Sequence, residues 1–172
     1  FKQKTAYEIE AASDEWGFPS NKFLKSGLPR WDRLARKTEP SREVLFCPTW
    51  RKSFDWSNWN PDSTPTQESL DDFVDSDFYK SMVSLLTSRE LLDWLEVGDL
   101  HITVNLHFRL RKFLPTFSTV CHSRITIPND DSDDRLLSEM MQDACLLITD
   151  YSSIMWDMAY MEKPVVCFQH DK

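Results

Sequence analysis

"CLLITDYSSIMWDMAYMEKPVVCFQ" (residues 145–169) is the segment that decides the fold. An apolar run at 145–149 ends in a short polar turn, an amphipathic stretch follows over 152–163, and a second apolar run occupies 164–169. Apolar runs that do not alternate with polar residues are typical of parallel strands buried on both faces. The segment therefore predicts two parallel strands joined by a helix.

The same alternation of strands and helices continues through most of the chain. Three further strands are predicted at 43–50, 99–107 and 121–128. Further helical segments are predicted at 77–97 as one or two helices, at 109–117 with an interruption at Pro115, and at 133–144. Strands separated by helices predict the α/β class, as a doubly wound, Rossmann-like parallel sheet with helices on both faces.

Length and composition suit one globular domain. The chain has 172 residues, of which 41% are hydrophobic, enough for a single domain over 1–172. Residues 53–67 are polar and proline-bearing, which predicts a surface loop. The chain starts with charged and polar residues and without Met, so we expect a piece of a longer protein and no signal peptide at its start. No apolar run is long enough to predict a membrane span.

Net charge and cysteine spacing argue against several kinds of partner. The net charge is −8 without a long basic stripe, so nucleic acid is not an expected partner. Cys47, Cys121, Cys145 and Cys167 lack zinc-ligand spacing, and we interpret them as buried thiols in a reducing compartment. We interpret the acidic run Asn129–Asp134 as the start of a helix, so no metal or other cofactor is expected.

Polar residues that follow the predicted strands are candidates for a ligand site. In open parallel sheets ligands bind beyond the carboxyl ends of the strands, here 48–51, His107 onward and 149–153. Ser152 and Ser153 come directly before a helix, whose unpaired N–H groups and dipole favour an anion. The alternative is that a serine only caps the helix. With three glycines and neither GxGxxG nor a Walker motif, a dinucleotide fingerprint and a P-loop are excluded.

Four motifs in order resemble the CDP-glycerol glycerophosphotransferase family, the teichoic-acid and capsule polyol-phosphate polymerases. The most specific, "LLITDYSSIMWDMAYMEKPVVCFQHDK" (146–172), resembles the family's strand, its D-Y-S-S turn, its aromatic–Asp pair and its K-P strand. Earlier segments resemble its G-x-P-R-aromatic-D, P-T-W-R and L-H-P motifs, namely "SGLPRWDRL" (26–34), "VLFCPTWRKSF" (44–54) and "NLHFRLRKFLPTF" (105–117). The resemblance implies a two-domain GT-B fold, of which this chain would be the C-terminal, nucleotide-binding half.

The resemblance also implies an activity and its partners. The donor would be CDP-glycerol or CDP-ribitol, the acceptor a polyol-phosphate polymer or a lipid-linked molecule, and the product CMP. The N-terminal half, which in the family carries the acceptor side and a proposed catalytic base, is absent, so this chain alone is expected to be inactive. The full-length protein is expected to be cytoplasmic and peripheral on the inner face of the cell membrane, with a homo-oligomer as one candidate assembly.

The resemblance finally implies roles for residues at the strand ends. His107, at the L-H-P position, is the candidate catalytic residue, as an imidazolium that donates to the phosphates. Phe108 replaces the proline of that motif. The candidate donor-phosphate residues are Arg51, Ser152 and Ser153. Asp157 is the candidate acceptor for ribose hydroxyls, and the alternative for it is an exposed helix acid.

Two other functions remain open from the sequence. The same half-fold also serves GT-B glycosyltransferases and epimerases that use a UDP-sugar. A non-catalytic GT-B-like module is the third hypothesis. The retention of Arg51, His107, Ser152 and Ser153 at strand ends argues against it.

Overall fold

The chain divides into two compact units. The computed structural model describes residues 19, 29–34, 41–51, 64–128 and 136–169. The first unit comprises residues 1–35 and contains helix α1 (Pro29–Leu34), and the second comprises residues 36–172. Among the described residues, no helix is long and apolar enough to cross a membrane. The assignment of 1–172 to a single domain stays a prediction, and residues 53–63 of the predicted loop lie outside the described residues.

The described part of the second unit contains a sheet of five parallel strands. They are β1 (Glu43–Cys47), β2 (His101–Val104), β3 (Ile125–Thr126), β4 (Ala144–Thr149) and β5 (Val165–Cys167). Their spatial order is β3-β2-β1-β4-β5, which is the Rossmann order. At the centre, Phe46 of β1 pairs with Val104 of β2 and with Ile148 of β4. The strand order therefore reverses between β1 and β4, and the carboxyl ends of these two strands form the switch point.

Small polar residues start the helices that follow β1. These helices are α2 (Gln67–Asp75), α3 (Asp77–Leu86) and α4 (Arg89–Val97). The hydroxyl oxygens of their N-cap residues, Thr66, Ser76 and Ser88, each accept a backbone N–H three residues on at 3.2 Å. Because Ser88 caps a new helix, the predicted helical stretch over 77–97 forms two helices.

A 3₁₀ helix (Phe108–Thr119) follows β2 and continues through Pro115. The predicted interruption at Pro115 is wrong, because the φ angle near −65° that proline imposes lies within the range of a 3₁₀ helix. Phe113, buried on this helix, stacks on Phe73 of α2 with ring centroids 4.1 Å apart. The stack fixes the 3₁₀ helix against the layer formed by α2.

Helices cover both faces of the sheet. On one face Val44, Phe46 and Ile148 form one apolar cluster with α2, α3, α4 and the 3₁₀ helix. Helix α5 (Leu137–Asp143) contacts β1 and β4, and helix α6 (Ile154–Tyr160) contacts β4 and β5. Right-handed crossovers that run in opposite directions from the centre of a sheet place their helices on opposite faces. The α/β, doubly wound, Rossmann-like prediction is confirmed.

The cysteines differ from one another in exposure. Cys47 is buried in β1, and burial raises the pKa of its thiol to about 12. Cys145 is half-buried, whereas Cys121 and Cys167 are exposed, and all four are free thiols. The interpretation of every cysteine as buried is therefore wrong for Cys121 and Cys167. Cys167 lies on β5, one of the two edge strands of the described sheet, which explains how a thiol in an apolar run reaches solvent.

Candidate functional site

Asp150 joins the carboxyl ends of β1 and β4. This residue is 3% exposed, and its Oδ1 accepts the backbone N–H of Thr49 at 2.9 Å and that of Tyr151 at 2.7 Å. Beside it, the Thr149 hydroxyl donates to the Cys47 carbonyl at 2.7 Å. The turn after β4 is therefore tied to the turn after β1 across the switch point.

Arg51 is held at the same place by an ion pair and a hydrogen bond. Its Nη1 lies 2.8 Å from Oδ2 of Asp150 and donates to the Thr49 carbonyl at 2.7 Å. Its guanidinium carbon lies 5.2 Å from the ring centroid of Phe78 and 5.4 Å from that of Tyr151. The Arg51 side chain keeps 19% of its surface exposed. A guanidinium fixed at the edge where parallel sheets bind ligands is suited to hold phosphate oxygens.

The two serines follow this pair at the start of α6. Ser153 is the N-cap residue, yet its side chain makes no capping hydrogen bond. The hydroxyl of Ser152 accepts the N–H of Ile154 only at 3.5 Å, where a hydrogen bond is weak. Ser153 is exposed and Ser152 is half-buried. This geometry gives little support to a capping role, and the phosphate role of both serines stays a prediction.

His107 lies beyond β2, at the start of the 3₁₀ helix. Its Nδ1 accepts the N–H of Arg109 at 3.3 Å, and its ring centroid is 5.8 Å from that of Trp50. Partial burial lowers the pKa of His107, and the charges of Arg109 and Arg111 lower it further. The lowered pKa disfavours the imidazolium that the resemblance implies. The catalytic role of His107 stays a prediction.

Asp157 is buried on α6. It is 3% exposed, so the alternative of an exposed helix acid is wrong. A ribose hydroxyl would have to reach a carboxylate that is covered in this structure. The ribose role stays a prediction.

Lys163, from the K-P dipeptide of the family-like motif, has a structural position. Its ammonium group donates to the carbonyl of Met141 at 3.0 Å and to that of Gln142, at the end of α5. Burial lowers the pKa of Lys163, while the nearby carboxylate of Asp143 opposes that shift. A lysine at this place satisfies carbonyls that the end of a helix leaves unpaired. The dipeptide therefore supports the fold and takes no part in the candidate site.

The structure brings the predicted residues to one edge of the sheet, in two groups. Arg51 and the serines lie at the ends of β1 and β4, and His107 lies at the end of β2. The position of Asp150 before the serines suggests that it orders the turn, but its pairing with Arg51 and the contact of Trp50 with His107 were not predicted from the sequence. A signal for Asp150 was its place directly after an apolar run, where a buried acid needs partners from another strand end.

Two other features lie near this edge. An open groove of about 710 Å³ runs along α3 beside Ser88 and Phe168, and none of the predicted site residues lines it. No group of three or more His, Cys, Asp or Glu side chains is placed to hold a metal ion among the residues that the structure describes.

The fold and the strand-end residues define a Rossmann-like α/β type of domain, with an arginine and two serine hydroxyl groups at the carboxyl ends of its central strands. The family model described as CDP-glycerol:poly(glycerophosphate) glycerophosphotransferase matches residues 4–172. The chain belongs to this family, as its motifs predict.

Relatives with known names are similar over nearly the whole chain. The minor teichoic acid biosynthesis protein GgaB of Bacillus subtilis (strain 168) is 25% identical over 157 residues, which are 91% of this chain and 17% of GgaB. Two solved structures of the wall teichoic acid polymerase TagF share the fold. A variant soaked with CDPG has a TM-score of 0.53 at 20% identity and a second variant has 0.53 at 16%. The chain covers 37% and 38% of those TagF chains, with 95% and 97% of its own length.

Proposed function

We propose that this chain binds the CDP-activated donor of a polyol-phosphate transferase, with CDP-glycerol as the preferred ligand. Membership of the glycerophosphotransferase family supports the donor class. The observation that carries the proposal is the buried ion pair of Asp150 with Arg51 at the switch point, 2.8 Å between Oδ2 and Nη1. It holds a guanidinium beside two serine hydroxyls at the edge where a nucleotide binds in this fold.

The reaction proposed for the whole enzyme is a phosphoryl transfer. An acceptor hydroxyl oxygen attacks the phosphorus that carries the polyol, the bond from that phosphorus to the CMP oxygen breaks, and CMP leaves. The hydroxyl proton passes to a base that the resemblance assigns to the other half of the GT-B fold. Catalysis of this kind depends mainly on position and on the stabilisation of charge on the phosphate oxygens.

Each candidate residue has a distinct task in that step. Arg51 holds oxygens of the diphosphate, and Ser152 and Ser153 donate to the phosphate nearest to α6. His107 donates to an oxygen of the transferred phosphate through Nε2. Asp157 accepts from the ribose if nucleotide binding opens the cover over its carboxylate.

The acceptor, the alternative donor, the location and the oligomeric state are part of the same proposal. We propose a teichoic-acid polymer as the acceptor, with CDP-ribitol as a second donor and a lipid-linked molecule as a second acceptor to be tested. A capsular polymer, a peripheral site on the inner face of the cell membrane and a homo-oligomer are further proposals for the full-length protein. Because the chain covers 37% of TagF, transfer by this chain alone is not expected.

Calorimetry on the chain tests the donor class directly. CDP-glycerol, CDP-ribitol, a UDP-sugar and CMP are titrated under the same conditions. Binding of CDP-glycerol that exceeds binding of the UDP-sugar is the expected result. Preference for the UDP-sugar would support the glycosyltransferase or epimerase alternative, and absence of binding by all four would support a non-catalytic module.

The ribose assignment has its own test. Asp157→Asn should weaken cytidine, CMP and CDP by the same factor, because all three ligands carry the ribose. A loss confined to CDP would contradict that role. A melting curve for the variant separates lost binding from lost folding.

A further inference from the structure

The ring of His107 is close to two aromatic side chains. Its centroid is 4.4 Å from that of Phe108, at 34° between the planes, and 5.8 Å from that of Trp50, at 42°. Arg109 joins both neighbours, with its guanidinium carbon 4.7 Å from the centroid of Trp50 and 5.6 Å from that of Phe108. The imidazole therefore has two aromatic neighbours, which limit its range of orientations.

A backbone hydrogen bond selects the tautomer of this ring. Nδ1 of His107 accepts the N–H of Arg109 at 3.3 Å, and a nitrogen that accepts carries no proton. The proton of the neutral ring is therefore on Nε2. Within the described residues, Nε2 of His107 has no hydrogen-bond partner, so this N–H is available to a ligand.

Charge around the ring favours the neutral form. His107 is the N-cap of the 3₁₀ helix, so its ring lies at the positive end of that helix. Arg109 and Arg111 add positive charge, and with partial burial they lower the pKa of His107. A second proton would also have to occupy Nδ1 and break the bond to Arg109. A neutral ring with a fixed tautomer donates through one atom only.

We propose that Phe108 is a positioning residue that holds the His107 ring in the orientation in which Nδ1 accepts the Arg109 N–H, and so aims Nε2–H at a phosphate oxygen of the donor. The contact of Nε2–H with a donor phosphate, which we call the ligand part of the inference, rests on the proposed function. The orientation of the His107 ring by Phe108, the ring part, does not. Phe108 is 46% exposed, so it adds little to the buried core, yet its ring is the nearer of the two that flank His107. It takes the place of the proline in the L-H-P motif and supplies by ring contact the rigidity that a proline supplies through its backbone.

His122 shows what the same local geometry does without aromatic neighbours. Its Nδ1 accepts the N–H of Arg124 at 3.2 Å, the same two-residue pattern as in His107. Its Nε2 lies 3.6 Å from a Glu96 carboxylate oxygen, and no ring contact involves it in the described part of the chain. In His122 the Glu96 carboxylate beside Nε2 favours a proton on that nitrogen, whereas Nε2 of His107 has no such partner among the described residues, which leaves orientation of its ring as the task of Phe108. His122 also provides an internal reference for an experiment.

Nitrogen NMR of the chain without ligand tests the ring part. The chain is labelled with ¹⁵N, and long-range ¹H–¹⁵N spectra are recorded from pH 5 to 8 for wild type, Phe108→Leu and Phe108→Tyr. His107→Gln assigns the signals. In wild type, His107 should be the Nε2–H tautomer and should protonate below the usual histidine range. In Phe108→Leu the Nδ1–H tautomer should appear, in Phe108→Tyr it should not, and His122 should stay unchanged in both.

Calorimetry with CDP-glycerol tests the ligand part. Phe108→Leu should weaken binding about 2- to 10-fold, the contribution of one aromatic contact, and Phe108→Tyr should restore it. An Nδ1–H tautomer or an imidazolium in wild type at pH 7, or identical His107 spectra in wild type and Phe108→Leu, would overturn the inference. If wild type binds none of the nucleotides while the spectra behave as expected, the proposed function fails and the ring geometry stands.

Discussion

The two ends of the parallel sheet hold their charges in different ways. At the amino ends of the strands, Arg42 and Arg124 both pair with Asp99, at 3.3 Å and 2.7 Å, and His122 lies near Glu96. Arg42 and Arg124 directly precede β1 and β3, Asp99 lies two residues before β2, and the Asp99 side chain is 61% exposed. At the carboxyl ends, by contrast, one pair is buried, and the Thr49 hydroxyl oxygen near it is buried without a hydrogen bond among the described residues.

This difference suggests that the charges at the amino ends only support the fold, whereas those at the carboxyl ends are suited to bind a ligand. Solvent-exposed ion pairs contribute little to folding stability, and at the amino ends each of these charges lies beside a group of opposite charge. At the carboxyl ends Thr49 Oγ1 is buried without a hydrogen bond among the described residues, and the Ser153 hydroxyl makes no capping bond. Unmatched polar groups beside a fixed guanidinium are what a site for a polar ligand requires.

The largest effect should come from Asp150. Asp150→Ala removes the acceptor of two backbone N–H groups and leaves Arg51 without its buried partner. Loss of one member of a buried pair costs about 3–5 kcal/mol of unfolding free energy. Urea unfolding measures this loss. Asp99→Ala at the other end is the matched control and should leave the midpoint nearly unchanged. Equal losses in the two variants would contradict the distinction between the ends.

The serines should come next, with an effect on binding. Replacing both Ser152 and Ser153 by Ala should weaken CDP by about 1.5–3 kcal/mol for each charge-assisted hydrogen bond lost, roughly ten- to a hundred-fold each. CMP and cytidine should be affected less, because only CDP carries the second phosphate. Calorimetry with the three ligands gives the comparison.

Ser88→Ala is the matched control for that experiment. Ser88 is a true N-cap, whose hydroxyl accepts the N–H of Leu91 at 3.2 Å. Its loss should cost about 1 kcal/mol of unfolding free energy and leave CDP affinity alone. The phosphate role would be refuted if the double serine variant lost affinity equally for cytidine, CMP and CDP.

A smaller effect should appear in the pH dependence of stability. The pKa of His107 lies below its usual value of about 6.5, so the folded chain binds fewer protons than the unfolded chain in that window. The contribution of His107 to folding stability should therefore be fully present above about pH 6.5 and should be lost as the pH drops below that value. Urea midpoints from pH 5 to 7.5 measure the slope. His107→Gln should flatten it, and an unchanged slope in that variant would assign the effect elsewhere.

The smallest effect should come from Asp99, in a more acidic window. The hydrogen bond from Arg124, then the charges of Arg124 and Arg42, hold the pKa of Asp99 below its usual value. The contribution of Asp99 to folding stability is present above about pH 3.9 and is lost as the pH falls through its lowered pKa. Asp99→Asn should remove this loss in acid unfolding curves. Added salt should remove it as well, because the pairs are exposed.

The sheet could be predicted because its strands are continuous apolar runs, and the candidate edge followed from parallel topology. Helix α2 could not, since its sequence carries four acids and only Phe73 is buried, which makes the apolar period weak. The Thr66 cap was its clearest signal.

Contacts between segments that are distant in the sequence could not be predicted. Thr49 and Asp150 are 101 residues apart and meet only because β1 and β4 are neighbours. The contact of His107 with Trp50 and the direction of the Arg109 N–H could not be predicted either, because local sequence reveals neither.

The way Asp150 is anchored bears on how the family can diversify. Two of its three contacts are with main-chain N–H groups, at Thr49 and Tyr151, which any residue except proline supplies. Mutations at those two positions can therefore change the side chains at this edge of the sheet while the frame that carries Arg51 survives. Side chains here can vary by single substitutions, each of which leaves the main-chain anchors of Asp150 in place.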